Sequence, residues 1–413
     1  MVMIRFLERW AVDGRFVLCV FFLSLFGIAM LNSAGAVNTP DPVVTEAWKR
    51  QAVWFALGLA VFTVTARVPL RWWEWIAVPA YVMTMVVLAS TLVIGTGGGT
   101  AEGTKSWIAL GPLRFQPSEL AKIATVLALA RLLAHRDEAP SGLHDLVAPG
   151  VLVALPLGLV MLQPDLGSGI AFIGLLYAML YWAGTPPFLL LLVASPIAGL
   201  ILAFDTHIWS GYIVILFLVL YLYRYRLFLY ESAAVIMVNI AAGAIATPLW
   251  NSLEAYQKNR LLVFLDPAVD PRGAGYNLVQ SKVAIGSGGL AGKGYLLGTQ
   301  KRFDFLPEQH TDFIFSVIGE ELGFLGVGLA LLLFAYVLYR LVKMAEETDD
   351  TFAGLVLFGI FGVWLVHIFV NTGMTVGLVP IMGIPLPFVS YGGTFLLTSW
   401  LAVGMAARLA HEE

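Results

Sequence analysis

Apolar runs of nearly membrane-spanning length recur along the whole chain and are separated by short polar turns. A helix needs about 20 mostly apolar residues to cross a bilayer. Twelve runs approach this length, which predicts an all-α, polytopic integral membrane protein of 10–12 transmembrane helices, with twelve counted. The predicted spans are 16–32, 50–66, 75–95, 117–134, 146–162, 166–183, 187–204, 208–223, 231–250, 312–340, 353–377 and 391–408.

The distribution of Lys and Arg predicts the orientation of these spans. Short cytoplasmic loops carry an excess of both residues, although the rule weakens in long loops. With both termini in the cytoplasm, twelve basic residues lie inside and five lie outside, once the seven in the long segment 251–311 are set aside. We therefore expect residues 1–413 to form a single transmembrane domain in which 251–311 is a large extracytoplasmic loop.

This long loop also has a local pattern of its own. It is rich in glycine, and its stretch YNLVQSKVAIG has helical apolar spacing at Leu278, Val279, Val283 and Ile285. The pattern predicts short amphipathic helices on the outer membrane face, joined by glycine hinges.

Composition supports a membrane protein and excludes other classes. Of the 413 residues, 59% are apolar or aromatic and only 12% are charged, which excludes a soluble enzyme. The net charge of −3 is spread along the chain without a basic run, so no nucleic-acid partner is expected. Cys19 is the only cysteine, which excludes an intramolecular disulfide and a cysteine-based metal site.

The densest group of ionisable residues lies where the long loop enters a predicted span. Asp312 stands at the mouth of this helix, where it is either a helix N-cap or a functional acid. Glu320 and Glu321 lie about two turns further in, where a charged side chain costs roughly 2.5–3.5 kcal/mol, so their presence indicates function. The ionisable residues just before this helix and at its mouth are Asp304, Glu308, His310 and Asp312. Taken alone, His310 would be an ordinary loop histidine.

A second charged pair lies on the predicted span 117–134. Glu119 and Lys122 are three residues apart, so they share a helix face and can pair. The pair is either a structural ion pair or the lining of a substrate cavity. Gln163 and Asp165 fit a hydrogen-bonded turn, and Asn371 fits a helix-to-helix hydrogen bond.

These polar groups limit the chemistry that the chain can perform. A carboxylate base can activate a sugar hydroxyl, and a pyrophosphate leaving group needs cationic stabilisation by Lys, Arg or a divalent ion. The polar groups all fall on the outer side, which indicates a membrane enzyme or carrier acting on an anionic lipid at the outer leaflet. The candidate cations are Arg114, Lys122, Lys258, Arg260 and Lys282.

Five long motifs resemble the SEDS family (shape, elongation, division and sporulation), and its elongation-type RodA members more than its division-type FtsW members. They follow one another in order between residues 116 and 393, and the wording DPRGAGYNLVQSK favours the elongation type. The motifs are QPSELAKIA at 116–124, QPDLGSG at 163–169, LDPAVDPRGAGYNLVQSKVAIGSGGLAGKGYLLGTQ at 265–300, FLPEQHTDFIFSVIGEELG at 305–323 and GIPLPFVSYGG at 383–393.

The resemblance implies a peptidoglycan glycosyltransferase that polymerises lipid II at the outer face of the bacterial cytoplasmic membrane, for elongation and cell shape. Partners implied are a class B penicillin-binding protein, which crosslinks the product, and other membrane proteins of the elongation complex. The family's essential aspartate, in its HTDF motif, falls on Asp312. The Glu and Lys of its QPSE helix fall on Glu119 and Lys122. A divalent cation, Mg²⁺ or Mn²⁺, is a possible cofactor.

One feature departs from the family. Its members usually have ten spans, whereas residues 188–250 hold three apolar segments here where one is expected. The two additional helices preserve the sidedness of Asp312 but change the surface on which a partner would dock. Two other functions remain open: a lipid II flippase, which needs a polar path across both leaflets, and a non-catalytic scaffold for cell-wall synthases.

Overall fold

Helices account for 77% of the structure, a computed structural model that describes residues 13–38, 42–97, 105–111, 113–222, 229–303 and 305–410. The helices are α1 (Gly14–Ala34), α2 (Pro42–Thr45), α3 (Ala47–Thr65), α4 (Leu70–Ile94), α5 (Pro117–Ala134), α6 (Val147–Leu162), α7 (Leu166–Trp182), α8 (Pro187–Leu202), α9 (Thr206–Leu222), α10 (Leu229–Ser252), α11 (Ala255–Leu265), α12 (Ala274–Gly288), α13 (Thr299–Arg302), α14 (Ile314–Glu347), α15 (Thr351–Val376) and α16 (Gly393–Leu409). One hairpin, β1 (Ile108–Leu110) with β2 (Leu113–Phe115), precedes α5.

Each of the twelve predicted spans coincides with a helix of 16 or more residues in the described ranges. Among the described residues, six helices are long and apolar enough to cross a membrane, and four shorter ones are also apolar. The prediction of an all-α, polytopic membrane protein is therefore confirmed. The stretch YNLVQSKVAIG lies within α12.

Helix α15 is the centre of the bundle. It packs against α5, α7, α12, α14 and α16, and most of its residues are buried. Two glycines let α7 and α15 approach closely: a Cβ at Gly362 would lie 2.5 Å from Ala178 Cβ, and one at Gly174 would lie 2.2 Å from Val366 Cγ2. Because interiors are close-packed, either added methyl group would push the two helices apart.

The additional helices α8 and α9 lie at the edge of the bundle and pack mainly against α10. Polar contacts around the buried Asn239 join the three: the Tyr212 hydroxyl donates to Asn239 Oδ1 (2.8 Å), and Asn239 Nδ2 donates to Ser195 Oγ (2.8 Å). Only Leu216 and Leu220 of α9 are buried. The pair therefore adds a peripheral layer without entering the centre around α15.

Helix α14 is interrupted at Gly323, whose φ of 63° and ψ of −162° are not helical. The segment 289–302 packs into this kink, where a Cβ at Gly292 would lie 2.1 Å from the carbonyl oxygen of Glu321. Only glycine fits such an approach, and Gly292 also has a positive φ of 79°. The glycines after α12 thus allow close backbone packing at this place.

The end of the bundle at which α1 ends and α3, α5, α7, α14 and α16 begin is called the loop end below. The long loop covers it with α11, α12 and α13. Helix α12 packs against α14 and α15, and its buried residues Leu278, Ser281 and Ala284 recur at helical spacing. This packing places the loop next to Asp312.

Candidate functional site

The main chain around Asp312 is held from two sides. Asn371 Nδ2 donates to the Asp312 carbonyl oxygen (3.0 Å), and the Ser390 hydroxyl donates to the Thr311 carbonyl oxygen (2.7 Å). The Tyr391 N–H donates to the His310 carbonyl oxygen (2.9 Å). Helix α15 and the loop between α15 and α16 therefore fix the backbone and leave the Asp312 side chain free for other contacts.

The Asp312 carboxylate is partly exposed and faces Gly383. A Cβ at Gly383 would lie 3.3 Å from Asp312 Oδ2 and 3.7 Å from Arg260 Nη1, so these two atoms are within about 7 Å of each other. Gly383 has a positive φ of 66°, which glycine adopts without strain. The small residue leaves open space between a carboxylate and a guanidinium.

The surroundings of Asp312 favour its protonated form. Burial among protein atoms raises the pKa of Asp312 to about 7, and the negative charges of Glu308 and, more weakly, Asp165 add to this, while Arg260 opposes it. A carboxylate with a pKa near neutral pH can accept a proton efficiently and release it again. This is the property required of a general base.

Arg260 is the candidate cation placed beside Asp312. It lies on α11, with its guanidinium carbon 5.8 Å from the centroid of the Tyr256 ring. The Tyr256 hydroxyl donates to the Pro164 carbonyl oxygen (3.4 Å), which ties α11 to the turn before α7. Arg260 is therefore held by its own helix and by a neighbouring turn.

The other candidate cations have different positions. Lys258 Nζ donates to the Asn251 carbonyl oxygen (3.3 Å), and Arg114 Nη1 to that of Gly97 (3.5 Å). Lys282 is exposed and lies against Gly377, at the end of α15. Their roles in substrate binding stay predictions.

The sequence predicts a hydrogen-bonded turn at Asp165, and the structure agrees. Asp165 also acts on Asp312 through its negative charge. It caps α7, since its carboxylate accepts from the Ser168 N–H (3.0 Å) and the Ser168 hydroxyl (2.8 Å). Gln116 Nε2 donates to the same group (3.2 Å). The QPDLGSG motif was the available signal for this residue.

Glu119 and Lys122 form a buried ion pair of 2.9 Å. Lys122 Nζ also lies 2.9 Å from His367 Nε2, and His367 Nδ1 lies 3.0 Å from the Pro385 carbonyl oxygen. A charged lysine only donates, so Nε2 accepts and Nδ1 carries the proton that binds Pro385. The pair thus reaches the loop that contacts Asp312, through a histidine that the sequence did not single out.

Asn371 follows His367 by one helical turn on α15 and binds the carbonyl oxygen of Ile384, the residue before Pro385. Its Nδ2 donates to Ile384 O (2.7 Å) as well as to Asp312 O. The sequence suggested a helix-to-helix hydrogen bond for Asn371, whereas its side chain instead joins two loop segments. The two side chains together form a rigid support under Gly383.

The remaining predicted residues are Glu308, His310 and Asp304. Glu308 has a positive φ of 51° and accepts from the Thr311 hydroxyl (2.8 Å). Such a backbone conformation is strained in a non-glycine residue and is concentrated at functional sites. His310 is buried, with its ring 5.8 Å from that of Tyr391. Asp304 lies outside the described residues.

The described part of the chain contains no cluster of three or more His, Cys, Asp or Glu side chains with the geometry of a metal site. Asp312 and Asp165 supply carboxylate oxygens of the type that Mg²⁺ and Mn²⁺ bind. A cation there would need further ligands from a bound substrate.

Comparison with known proteins gives consistent matches over nearly the whole chain. The FtsW/RodA/SpoVE family, described as cell cycle proteins, matches residues 14–229 and 188–413. The two matches overlap across α8 and α9, where the additional helices lie.

Curated relatives include the peptidoglycan glycosyltransferase MrdB of Escherichia coli K12, 37% identical over 86% of this chain and 83% of that protein. The peptidoglycan glycosyltransferase RodA of Treponema pallidum is 34% identical over 95% of this chain and 96% of its own length.

Solved structures are also similar. A chain of a peptidoglycan synthase complex that coordinates polymerisation and crosslinking has a TM-score of 0.71, with 29% identity and 97% of each chain covered. The rod shape-determining protein RodA of Thermus thermophilus has a TM-score of 0.62, with 27% identity over 97% of this chain and 96% of that one.

Proposed function

Because the chain belongs to the FtsW/RodA/SpoVE family, we propose that the site around Asp312 polymerises lipid II into glycan strands. The chain is a multi-pass membrane protein and a peptidoglycan glycosyltransferase. One observation carries the assignment of the site: a partly exposed carboxylate with a pKa raised to about 7 faces a guanidinium across the small residue Gly383. This is an arrangement of one base and one cation.

Asp312 acts as the base in the proposed reaction. Its carboxylate accepts the proton of the 4-hydroxyl group of the acceptor sugar while that oxygen attacks the anomeric carbon of the growing strand. The bond from the anomeric carbon to the pyrophosphate oxygen breaks, and the pyrophosphate keeps the electron pair. Attack from the face opposite the leaving group inverts the configuration, so a single base suffices.

Arg260 stabilises the leaving group. Negative charge develops on the pyrophosphate as its bond breaks, and a fixed guanidinium can bind phosphate oxygens with two hydrogen bonds. Tyr256 and α11 limit the positions that Arg260 can adopt. Lys258 and Lys282 are further candidates for binding the phosphates, since both lie on helices of the same loop.

Asp312 and Asp165 fit a divalent cation in their ligand type, and such an ion would supply further positive charge to the pyrophosphate. A bound substrate would have to complete its coordination. Loss of activity on chelation, restored by Mg²⁺ or Mn²⁺, is the result that would support this cofactor.

The site is placed at the outer face of a bacterial cytoplasmic membrane in this proposal, facing the periplasm or cell exterior. The Lys and Arg distribution supports that orientation. A class B penicillin-binding protein is the proposed partner, because the similar synthase-complex chain belongs to an assembly that polymerises and crosslinks. Other elongation proteins of the membrane are proposed as additional partners.

The test is polymerisation of purified lipid II by the purified chain, with and without the partner. We expect glycan strands from the parent chain and none from Asp312→Asn. Translocation of lipid II across vesicles without any polymer would instead favour a flippase. Strand synthesis only by the partner, unaffected by Asp312→Asn, would favour a scaffold.

A further inference from the structure

An apolar groove of about 460 Å³ opens on the side of the bundle between α7 and α15. Ile170 of α7 forms one wall, and Leu365, Val366 and Phe369 of α15 form the other. Pro380 and Met382, from the loop after α15, line it at the loop end. Leu365 and Phe369 are 42% and 59% exposed, so the groove is accessible from the side, where the bilayer lies.

The groove follows from the packing of the two helices. Gly174 and Gly362 bring α7 and α15 into close contact further from the loop end. Near Ile170, the described residues of α7 and α15 make no glycine contact of this kind with each other. Larger apolar side chains line the space between the two helices there. The groove is thus formed mainly by the packing of α7 against α15, with the loop after α15 at one end.

Met382 connects this groove to the polar site. It is followed directly by Gly383, which faces Asp312 and Arg260. Its carbonyl oxygen lies beside the start of α7, since a Cβ at Gly167 would be only 2.5 Å away. The apolar groove, which is open to the membrane, therefore ends next to the Arg260 guanidinium and the Asp312 carboxylate.

We propose that this groove binds the polyprenyl chain of the glycosyl donor, with the pyrophosphate at Arg260. The proposal rests on the proposed function and names the part of the substrate that enters each half of the site. The complementarity is chemical: an apolar chain matches the lining of the groove, and a doubly anionic headgroup matches the guanidinium at its end. A phospholipid also has an apolar chain, but its headgroup carries a single phosphate. Preference for a pyrophosphate is thus the distinguishing property.

Photo-crosslinking tests the occupant directly. A benzophenone amino acid is placed at Phe369 or, as a control, at Leu332 of α14, which is 70% exposed but does not line the groove. Undecaprenyl pyrophosphate is the probe, in vesicles of phosphatidylethanolamine and phosphatidylglycerol.

We expect crosslinking of undecaprenyl pyrophosphate at Phe369, in preference to the far more abundant phospholipid, and only phospholipid at Leu332. Adding Ile170→Trp, which fills the groove, should reduce the specific product about tenfold, because contacts with a few methylene groups account for such a factor. Leu332→Trp should have no effect. Arg260→Gln should reduce the preference for pyrophosphate over phospholipid.

Equal labelling at both positions, or labelling at Phe369 by phospholipid alone, would overturn the proposal. Undiminished labelling in Ile170→Trp would do the same, provided that the variant elutes as a folded protein. These outcomes concern binding only. Absence of polymer from the parent chain would instead count against the glycosyltransferase assignment, so the two failures can be told apart.

Discussion

Asp312 and the Glu320–Glu321 pair are close in sequence and have opposite surroundings. Glu320 accepts from Lys293 Nζ (2.7 Å) and from the Thr299 N–H (2.8 Å). Glu321 accepts from the Ser33 hydroxyl (2.6 Å) and pairs with Lys301 at 2.5 Å. For the Asp312 carboxylate, no donor within hydrogen-bond distance is present among the described residues, and its nearest identified cation is Arg260.

The difference distinguishes two acids that hold the fold together from the acid that we propose as the base. Glu320 and Glu321 are each engaged by a lysine ammonium and by further donors, so these carboxylates are committed to contacts within the fold. Glu320 and Glu321 hold the segment 293–302 against α1 and the kink of α14, so their presence in the span is explained by structure. Asp312 keeps the cost of poor solvation, which raises its pKa and makes it reactive.

The largest expected effect is that of removing the open acid. Asp312→Asn should reduce the polymerisation rate by about 10²–10⁴, because it removes the base and keeps the shape of the side chain. The measurement is the initial rate of strand formation from lipid II, with thermal unfolding in detergent as a check on the fold. Asp266→Asn, an exposed aspartate of the same loop, serves as the control. Substantial activity in Asp312→Asn would exclude the assignment.

Glu321, whose carboxylate is engaged by Ser33 and Lys301, should behave in the opposite way. Glu321→Gln leaves the Lys301 ammonium buried without its counter-charge, which should lower the free energy of unfolding by about 3–5 kcal/mol. The activity of the protein that remains folded should change much less than in Asp312→Asn. Thermal and denaturant unfolding, with activity per folded molecule, measure both quantities.

The control lies on the same helix. Glu346 pairs with Lys343 at 2.7 Å, but both side chains are about half exposed. Glu346→Gln should therefore cost only about 0–1 kcal/mol. If Glu321→Gln were equally mild in stability but abolished polymerisation, the contrast between the two acids would be wrong.

The sequence predicted the long helices and the position of Asp312 better than it predicted the partners of Glu320 and Glu321. Continuous apolar runs located the twelve long helices of the described ranges, since each span needs such a run. The position of Asp312 at a helix mouth singled it out. The hydrogen bond from Ser33 to Glu321 could not be foreseen, because the two residues are 288 positions apart and meet only in the folded bundle.

The sequence also could not show which candidate cation lies beside Asp312. Arg260 and Lys282 both lie on helices of the long loop and look equivalent in sequence. Only the fold brings Arg260 to Gly383 and Lys282 to Gly377. The hydrogen bond from His367 to Pro385 was likewise hidden, since it joins a side chain to the backbone of a loop.

Glu119 and Lys122 sharpen the comparison at a third position, where both charges are buried. Glu119→Gln or Lys122→Met alone should lower the free energy of unfolding by about 3 kcal/mol, and the double variant by less than either, because a lone buried charge is the expensive state. The measurement is a double-mutant cycle of unfolding free energies. Additive losses would show that the two side chains act separately.

The smallest effect, a shift in the pH profile, tests why Asp312 is reactive. The base works when deprotonated, so the polymerisation rate should rise as pH increases through about 7. Glu308 raises the pKa of Asp312 by its negative charge, so Glu308→Gln should lower that pKa and move the rising limb to lower pH. Arg260 lowers the pKa, so Arg260→Gln should move the limb to higher pH, together with a loss of rate from weaker binding of the leaving group.

Arg272→Gln, which removes an exposed cation of the same loop, should leave the limb in place. Opposite shifts from Glu308→Gln and Arg260→Gln are the decisive result, since shifts in one direction, or none, would show that the titrating group is not the carboxylate between them.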